Sequence, residues 1–126
     1  MRNEETIREI MRDKQLASLG DAFVNFVYSL ALTQTGGKPQ AVKVSDRILA
    51  EAFRLSDLRK HLGTRVSRKD LANASESLLV EAYQRKLITI EESVKILSEN
   101  PAGLKAGLSE LMKLAADRIA GESPFD

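Results

Sequence analysis

The sequence predicts an all-α protein with one domain of about six helices. Apolar residues recur at helical spacing in successive segments, and no segment alternates apolar and polar residues with period two over a useful length. Residues of the types that cap helices stand ahead of several of these segments. The chain has 126 residues, 43% of them hydrophobic, which suits a single core. We expect a helical domain over residues 1–120 and a loose tail over residues 121–126.

The first half of the chain contains three predicted helices. The first runs from residue 2 to about residue 14 with apolar positions at helical spacing, and the second, over residues 16–32, is apolar nearly all round. Residues 35–39, Thr-Gly-Gly-Lys-Pro, form the clearest predicted loop. Ser45 is the expected N-cap of a third helix, which Gly63 ends.

The second half contains the other three. Ser67 is the expected N-cap of a helix that reaches about residue 85. Thr89 and Glu92 have the spacing of a capping box for a short helix, which the pair Asn100-Pro101 breaks. A last helix carries one apolar face as far as Ile119.

The composition excludes several kinds of chemistry. The chain has no cysteine and one histidine, His61, so disulfides, thiolate sites, a cysteine nucleophile and a histidine-rich metal site are excluded. The formal net charge of +1 argues against a uniformly basic protein that coats nucleic acid. Any chemistry is therefore expected to depend on carboxylates, which favour hard metal ions.

The second predicted helix is apolar enough to raise the question of a membrane. Residues 15–37 contain one charged residue, Asp21, but several polar side chains interrupt the stretch, so we favour a buried central helix over a membrane span. The first fourteen residues mix charged and apolar groups and lack the apolar region of a signal peptide. The expected compartment is the cytoplasm.

Asp21 and Glu76 both lie at unusual positions on their helices. Asp21 belongs to a narrow polar stripe on a mostly apolar helix, so we expect it to need a cation, a metal or several hydrogen-bond donors as partner. Gly20 beside it indicates close approach by another backbone. Glu76 belongs neither to the expected solvent stripe of its helix, which includes Ser77, nor to the core face. A partly exposed Glu76 paired with an arginine is the simpler alternative.

Two motifs on these helices resemble those of ribonuclease III nuclease domains. The first is Leu19-Gly20-Asp21-Ala22, followed by an apolar helix. The second is the stretch Asn73-Ala74-Ser75-Glu76, followed by an apolar helix and by Tyr83. The resemblance covers about residues 14–85, and it implies a helical homodimer with its seam along the second helix. We expect Leu19, Phe23, Phe26 and Val27 to form that interface.

The chain departs from the family pattern at two acidic positions. Ala17 and Asn73 stand where full-length members of that family have acidic residues, whereas Asp21 and Glu76 match the retained pair. We expect no double-stranded-RNA-binding domain of the kind that usually follows, so the chain resembles short bacterial members of the Mini-III type, which lack that domain and likewise keep mainly these two acids. The resemblance therefore implies a site in which Asp21 and Glu76 hold Mg²⁺, or Mn²⁺ in its place, with Asn73 assisting.

Basic residues between the two motifs are consistent with an RNA partner. Residues 43–69 contain eight basic and three acidic side chains, a local net charge of +5. Arg65, Arg68 and Lys69 are the expected phosphate contacts, with Lys38 in the glycine-containing loop as a further one. These side chains could equally be the solvated face of an amphipathic helix.

Three functional hypotheses follow from the sequence. The first is a metal-dependent endoribonuclease that cuts double-stranded or structured RNA as a homodimer. The second is a non-catalytic homodimer of the same fold that binds structured RNA or a ribonucleoprotein, as the two lost acids would allow. The third is a helical interaction protein with no connection to RNA. No small-molecule cofactor and no membrane partner are expected.

Overall fold

The computed structural model describes residues 2–122, with side chains from Thr6 onward, and its fold is all-α, as predicted. Its helices, with one short 3-10 helix at Leu58–His61, are α1 (Arg2–Met11), α2 (Lys14–Gly36), α3 (Asp46–Leu55), α4 (Arg68–Gln84), α5 (Ile90–Glu99) and α6 (Leu104–Ala120). Within residues 2–122 there is no strand. Of the predicted loose tail, only Gly121 and Glu122 lie within the described residues.

Helix α4 is the central element of the fold. It packs against α1, α2, α3 and α6, and ten of its seventeen residues are buried. Its start is well defined, because Ser67 and Asp70 form a capping box. Ser77, predicted to face solvent, is fully buried instead, and its hydroxyl donates to the carbonyl of Asp13 at 2.9 Å. That prediction was wrong because α4 is enclosed on more sides than a helical wheel indicates.

Three predicted helix boundaries and one predicted capping box require correction. The second helix extends beyond residue 32 to Gly36, so Thr35 and Gly36 belong to α2 and not to the predicted loop. The first helix does not reach Lys14, since the Asp13 carboxylate accepts hydrogen bonds from the N–H groups that begin α2. The third ends at Leu55, and Asp57, with a φ of 62°, separates it from the 3-10 helix. At α5 the Thr89 cap is present, but the Glu92 carboxylate binds Arg118 at 2.7 Å and does not complete a capping box.

Helix α2 buries one face rather than its whole circumference. Phe23 and Val27 belong to the core, whereas Leu19 and Phe26 are about half exposed. Helix α2 is long and apolar enough to cross a membrane. Core helices of soluble proteins can be equally long and apolar, so these two properties do not distinguish the two cases. Its contacts with α4 and α5 place it in the helical core.

Helices α2 and α4 meet main chain to main chain at Gly20. A Cβ atom added there would overlap the backbone carbonyl of Glu76. This is the close approach that the glycine predicted, and its partner is the residue that carries the second carboxylate. The contact therefore sets Asp21 and Glu76 beside each other.

Candidate active site

An open cleft of about 860 Å³ lies between α2, α4 and the start of α3. Asp21 and Asn73 line it together with Glu76, so the structure brings the three predicted catalytic residues into one site. Ala17, which precedes Asp21 by one helical turn, is also part of the wall. No carboxylate from α2 other than that of Asp21 reaches the cleft.

Glu76 shares a proton with Asp21. Its side chain is 5% exposed, and burial, the hydrogen bond to Asp21 and the nearby negative charges raise the pKa of Glu76 to about 8. Burial also raises the pKa of Asp21, but the hydrogen bonds from Glu76 and Lys43 outweigh that effect and hold it below its ordinary value. The pair at neutral pH is thus one carboxylate and one carboxylic acid. The alternative of an exposed Glu76 paired with an arginine is wrong.

Asp21 has two further partners. The Lys43 ammonium lies 3.2 Å from both carboxylate oxygens, and the Asn25 amide donates to Oδ1 at 3.3 Å. The Asn25 carbonyl in turn accepts from the N–H of Val44 at 2.8 Å, which holds the segment carrying Lys43 against α2. The sequence predicted a partner for Asp21, and a cation together with hydrogen-bond donors provides it.

Five cations surround the two acids. The cleft is lined by Lys14, Lys43, Arg47, Arg68 and Lys69. Asp46 is the third acidic residue of the wall, and it binds Lys69 at 3.4 Å. With Glu76 protonated, positive charge predominates, which suits a polyanionic ligand.

Only two of the four predicted RNA-binding residues line this cleft. Arg68 and Lys69 do so, Arg65 lines an adjoining groove, and Lys38 lies in the exposed loop after α2 and lines neither. The other three cations of the cleft, Lys14, Lys43 and Arg47, were not predicted as site residues. Their signal in the sequence is weak, because Lys14 and Arg47 stand at helix starts and Lys43 in a segment without regular structure.

A family model described as Ribonuclease III matches residues 14–120. The chain belongs to the ribonuclease III family. The match runs from the start of α2 to the end of α6, so it extends beyond the region around the two motifs to the C-terminal helices. No curated protein matches the chain.

The site of this ribonuclease III domain offers a small set of hard oxygen donors. Within the described part of the chain, no three His, Cys, Asp or Glu side chains are grouped as a metal site would group them. Asp46 of the cleft binds Lys69, so the carboxylates of Asp21 and Glu76 and the Asn73 amide remain as donors. Oxygen donors of this kind and number are those that Mg²⁺ takes from proteins while it keeps several waters.

The predicted interface residues of the ribonuclease III domain fall into two groups. Phe23 and Val27 are buried within the chain, so they have little surface to offer a partner. Leu19 and Phe26 are exposed on α2 at 48% and 52%. Tyr83 of α4, which is 39% exposed, contacts Phe23 with ring centroids 4.9 Å apart. We call the surface formed by Leu19, Phe26 and Tyr83 the apolar face.

Proposed function

We propose that this ribonuclease III family protein is a metal-dependent endoribonuclease that hydrolyses phosphodiester bonds in double-stranded or structured RNA as a homodimer. The observation that carries the proposal is the meeting of Asp21 and Glu76 in one cleft lined by five cations. Paired carboxylates suit a divalent ion, and the surrounding positive charge suits the phosphates of RNA.

The residues present fit Mg²⁺, with Mn²⁺ as a substitute. Asp21 and Glu76 would hold the ion, and Asn73 would act as a neutral polar ligand to its hydration shell. The bound ion would generate a nucleophile from water at neutral pH and neutralise charge in the transition state. Glu76 must lose its proton and Lys43 must give up part of its contact with Asp21, so both groups compete with the metal. Two acids instead of four predict weak metal binding.

The cations of the cleft support a duplex as substrate. Arg68 and Lys69 lie in the first turn of α4, and Glu76 lies further along the same helix. Lys14 and Arg47 lie on other walls of the cleft. Contacts of this type bind phosphates and set the register of the nucleic acid without reading its sequence. Proteins recognise A-form RNA mainly through its shape and its backbone.

The apolar face supports the homodimer. Leu19 and Phe26 are seven residues apart and share one side of α2, and Tyr83 extends the surface through its contact with Phe23. Large apolar side chains exposed side by side mark interaction sites. Two-fold pairing along α2 would present two clefts, one for each strand of a duplex.

A cleavage assay tests the proposed function. Wild type would be compared with Asp21→Asn and Glu76→Gln at equal dimer content, on a duplex-containing RNA with Mg²⁺ or Mn²⁺. We expect metal-dependent cutting that falls by about 100-fold or more in both variants, because each loses a metal ligand. Glu99→Gln, which changes an exposed carboxylate outside the cleft, is the control and should cut normally. Cutting that survives both cleft variants would contradict the proposal.

A second candidate is a non-catalytic dimer that binds structured RNA. Ala17 and Asn73 favour it, since the wall of the cleft has one alanine and one amide beside the two acids. Such a protein would bind duplex RNA in a salt-sensitive manner without cutting it, and it would tolerate Glu76→Gln. The assay above, repeated as a binding measurement, distinguishes the two functions.

A further inference from the structure

A second groove of about 540 Å³ adjoins the active-site cleft, and we call it the side groove. It runs between the junction of α1 with α2 and the segment that leads from the 3-10 helix into α4. Lys14 and Asn73 line both cavities, so the side groove continues directly from the place where the proposed substrate would lie. Its volume falls within the range of small-molecule sites.

The floor of the side groove is apolar. Met11 and Leu62 are 2% and 4% exposed, and Val66 is half-buried and packed against the core. The described residues that line it include no aromatic side chain. Met11 and Leu62 close the bottom of the groove, and Val66 offers accessible apolar surface to one face of a nucleobase, while an arginine guanidinium can stack on the other face.

One wall presents unpaired main-chain donors. Across residues 2–122, no hydrogen-bond acceptor is found for the N–H groups of Gly63, Thr64, Arg65 and Val66. The carbonyl of Thr64 accepts a long hydrogen bond, at 3.4 Å, from Arg59. Main-chain groups that are not used by secondary structure are available to the edge of a base.

The rim of the side groove has a surplus of free positive charge. Arg12, Lys14 and Arg65 are exposed, and none of them forms an ion pair with another residue of the described chain. The two acids of the groove are engaged elsewhere. Asp13 caps α2, and Asp70 accepts from the N–H of Ser67 in the capping box of α4. Both carboxylates stay ionised, and Lys14 attracts Asp70, so an anionic ligand meets three cations against two anions and is drawn mainly to Arg12 and Arg65.

We infer that the side groove binds one unpaired nucleotide of the RNA that occupies the active-site cleft. The base would pack on Val66 above the buried Met11 and Leu62. Its edge would lie against residues 63–66, and its phosphate beside Arg12 and Arg65. This inference rests on the proposed function and narrows its substrate class. The protein would prefer duplexes interrupted by an unpaired nucleotide close to the bond that is cut.

A binding experiment without metal tests the inference. A fully paired RNA hairpin is compared with a series of hairpins that each contain one unpaired nucleotide at a different position along one strand. Each RNA is titrated with the full chain in EDTA. We expect the best interrupted hairpin to bind at least about fivefold more tightly than the paired one. With 2-aminopurine as the unpaired base, binding should also change the fluorescence of that base.

Variants separate recognition of the base from general attraction to RNA. Val66→Ser removes part of the floor without changing charge, and Arg12→Gln combined with Arg65→Gln removes the cations of the rim. We expect both proteins to lose the preference for the interrupted hairpin, and Val66→Ser to keep the affinity for the paired hairpin within about twofold. Val42→Ser, the same substitution at an exposed position that lines neither cavity, should keep both affinities.

Each outcome has one meaning. Salt-sensitive binding of both hairpins with equal affinity overturns the inference and leaves the proposed function standing. A preference that survives in Val66→Ser and in the arginine variant also overturns it, because the unpaired base is then recognised elsewhere. Failure to bind either hairpin at low salt overturns the proposed function together with the inference.

Discussion

At the scale of single residues, the site depends on the proton held between Glu76 and Asp21. Burial and the neighbouring negative charge favour the neutral form of Glu76, and the shared hydrogen bond lowers the pKa of Asp21. Two carboxylates can thus lie together in a metal-free fold without electrostatic repulsion. Under the proposed function a divalent cation would take the place of this proton, so binding of the metal should become stronger as the pH rises.

Stability without metal should depend on pH through Glu76. The pKa of Glu76 is about 8 in the folded protein against an ordinary value of 4.5. Protonated Glu76 therefore contributes fully to the free energy of unfolding below pH 4.5, and this contribution is lost as the pH rises through 8. Between pH 6 and pH 9 the unfolding free energy of wild type should fall by about 2–3 kcal/mol relative to that of Glu76→Gln. Urea unfolding of both proteins in EDTA measures the difference, and a constant difference would contradict this assignment.

The residues of the site were predictable where a motif carried them. Asp21 and Glu76 follow from their odd helical positions and from the family resemblance, and the fold brings them together. Lys43 could not be predicted as the partner of Asp21, because its position depends on a hydrogen bond between Val44 and Asn25, nineteen residues apart in the chain. Lys38 was selected for its glycine-containing loop, and that loop lies outside the cleft.

At the scale of helices, α4 shows why helical wheels misjudge a central element. Ser77 was expected to face solvent but is fully buried, as Ser75 is, and each hydroxyl donates to the carbonyl four residues earlier, at 2.9 Å in both cases. A serine that is satisfied within its own helix can face the core at little cost, although in a sequence it reads as polar. The helical spacing of apolar residues and the capping residue therefore predicted where α4 begins and ends. They did not predict how far the other helices enclose it.

Packing of α2 on α4 should be sensitive to Gly20. Gly20→Ala places a methyl group against the backbone of Glu76, and we expect it to lower the free energy of unfolding by about 2–3 kcal/mol. Gly63→Ala is the control, because no atom lies within 4 Å of the added carbon. Denaturation curves of the two variants compare them directly, and equal stability would argue against the close contact.

At the scale of the whole molecule, one side of α2 exposes large apolar side chains to solvent. The apolar composition of this helix suggested burial all round, but the protomer covers only the side with Phe23 and Val27. The sequence shows which residues of such a helix are apolar. It does not show which of them face the core and which would face a partner, because both environments select the same side chains. Leu19 and Phe26 are distinguished from the core residues by the structure alone.

The homodimer can be tested through the apolar face. Phe26→Asp places a charge at the centre of the proposed contact, so we expect a folded monomer where wild type is a dimer. Leu55→Asp, which changes a lone leucine that is 58% exposed on α3, should leave the dimer intact. Sedimentation analysis gives the mass, and helical content by circular dichroism checks folding. A wild-type monomer, or a Phe26→Asp dimer, would contradict the proposed assembly.

The main-chain contact between Gly20 and Glu76 bears on how this protein can change over evolutionary time. The two carboxylates are brought together where one backbone touches another, so the contact leaves no room for a side chain at position 20. We therefore expect related sequences that keep both acids to keep glycine at this position, while neighbouring core positions exchange apolar residues of similar size.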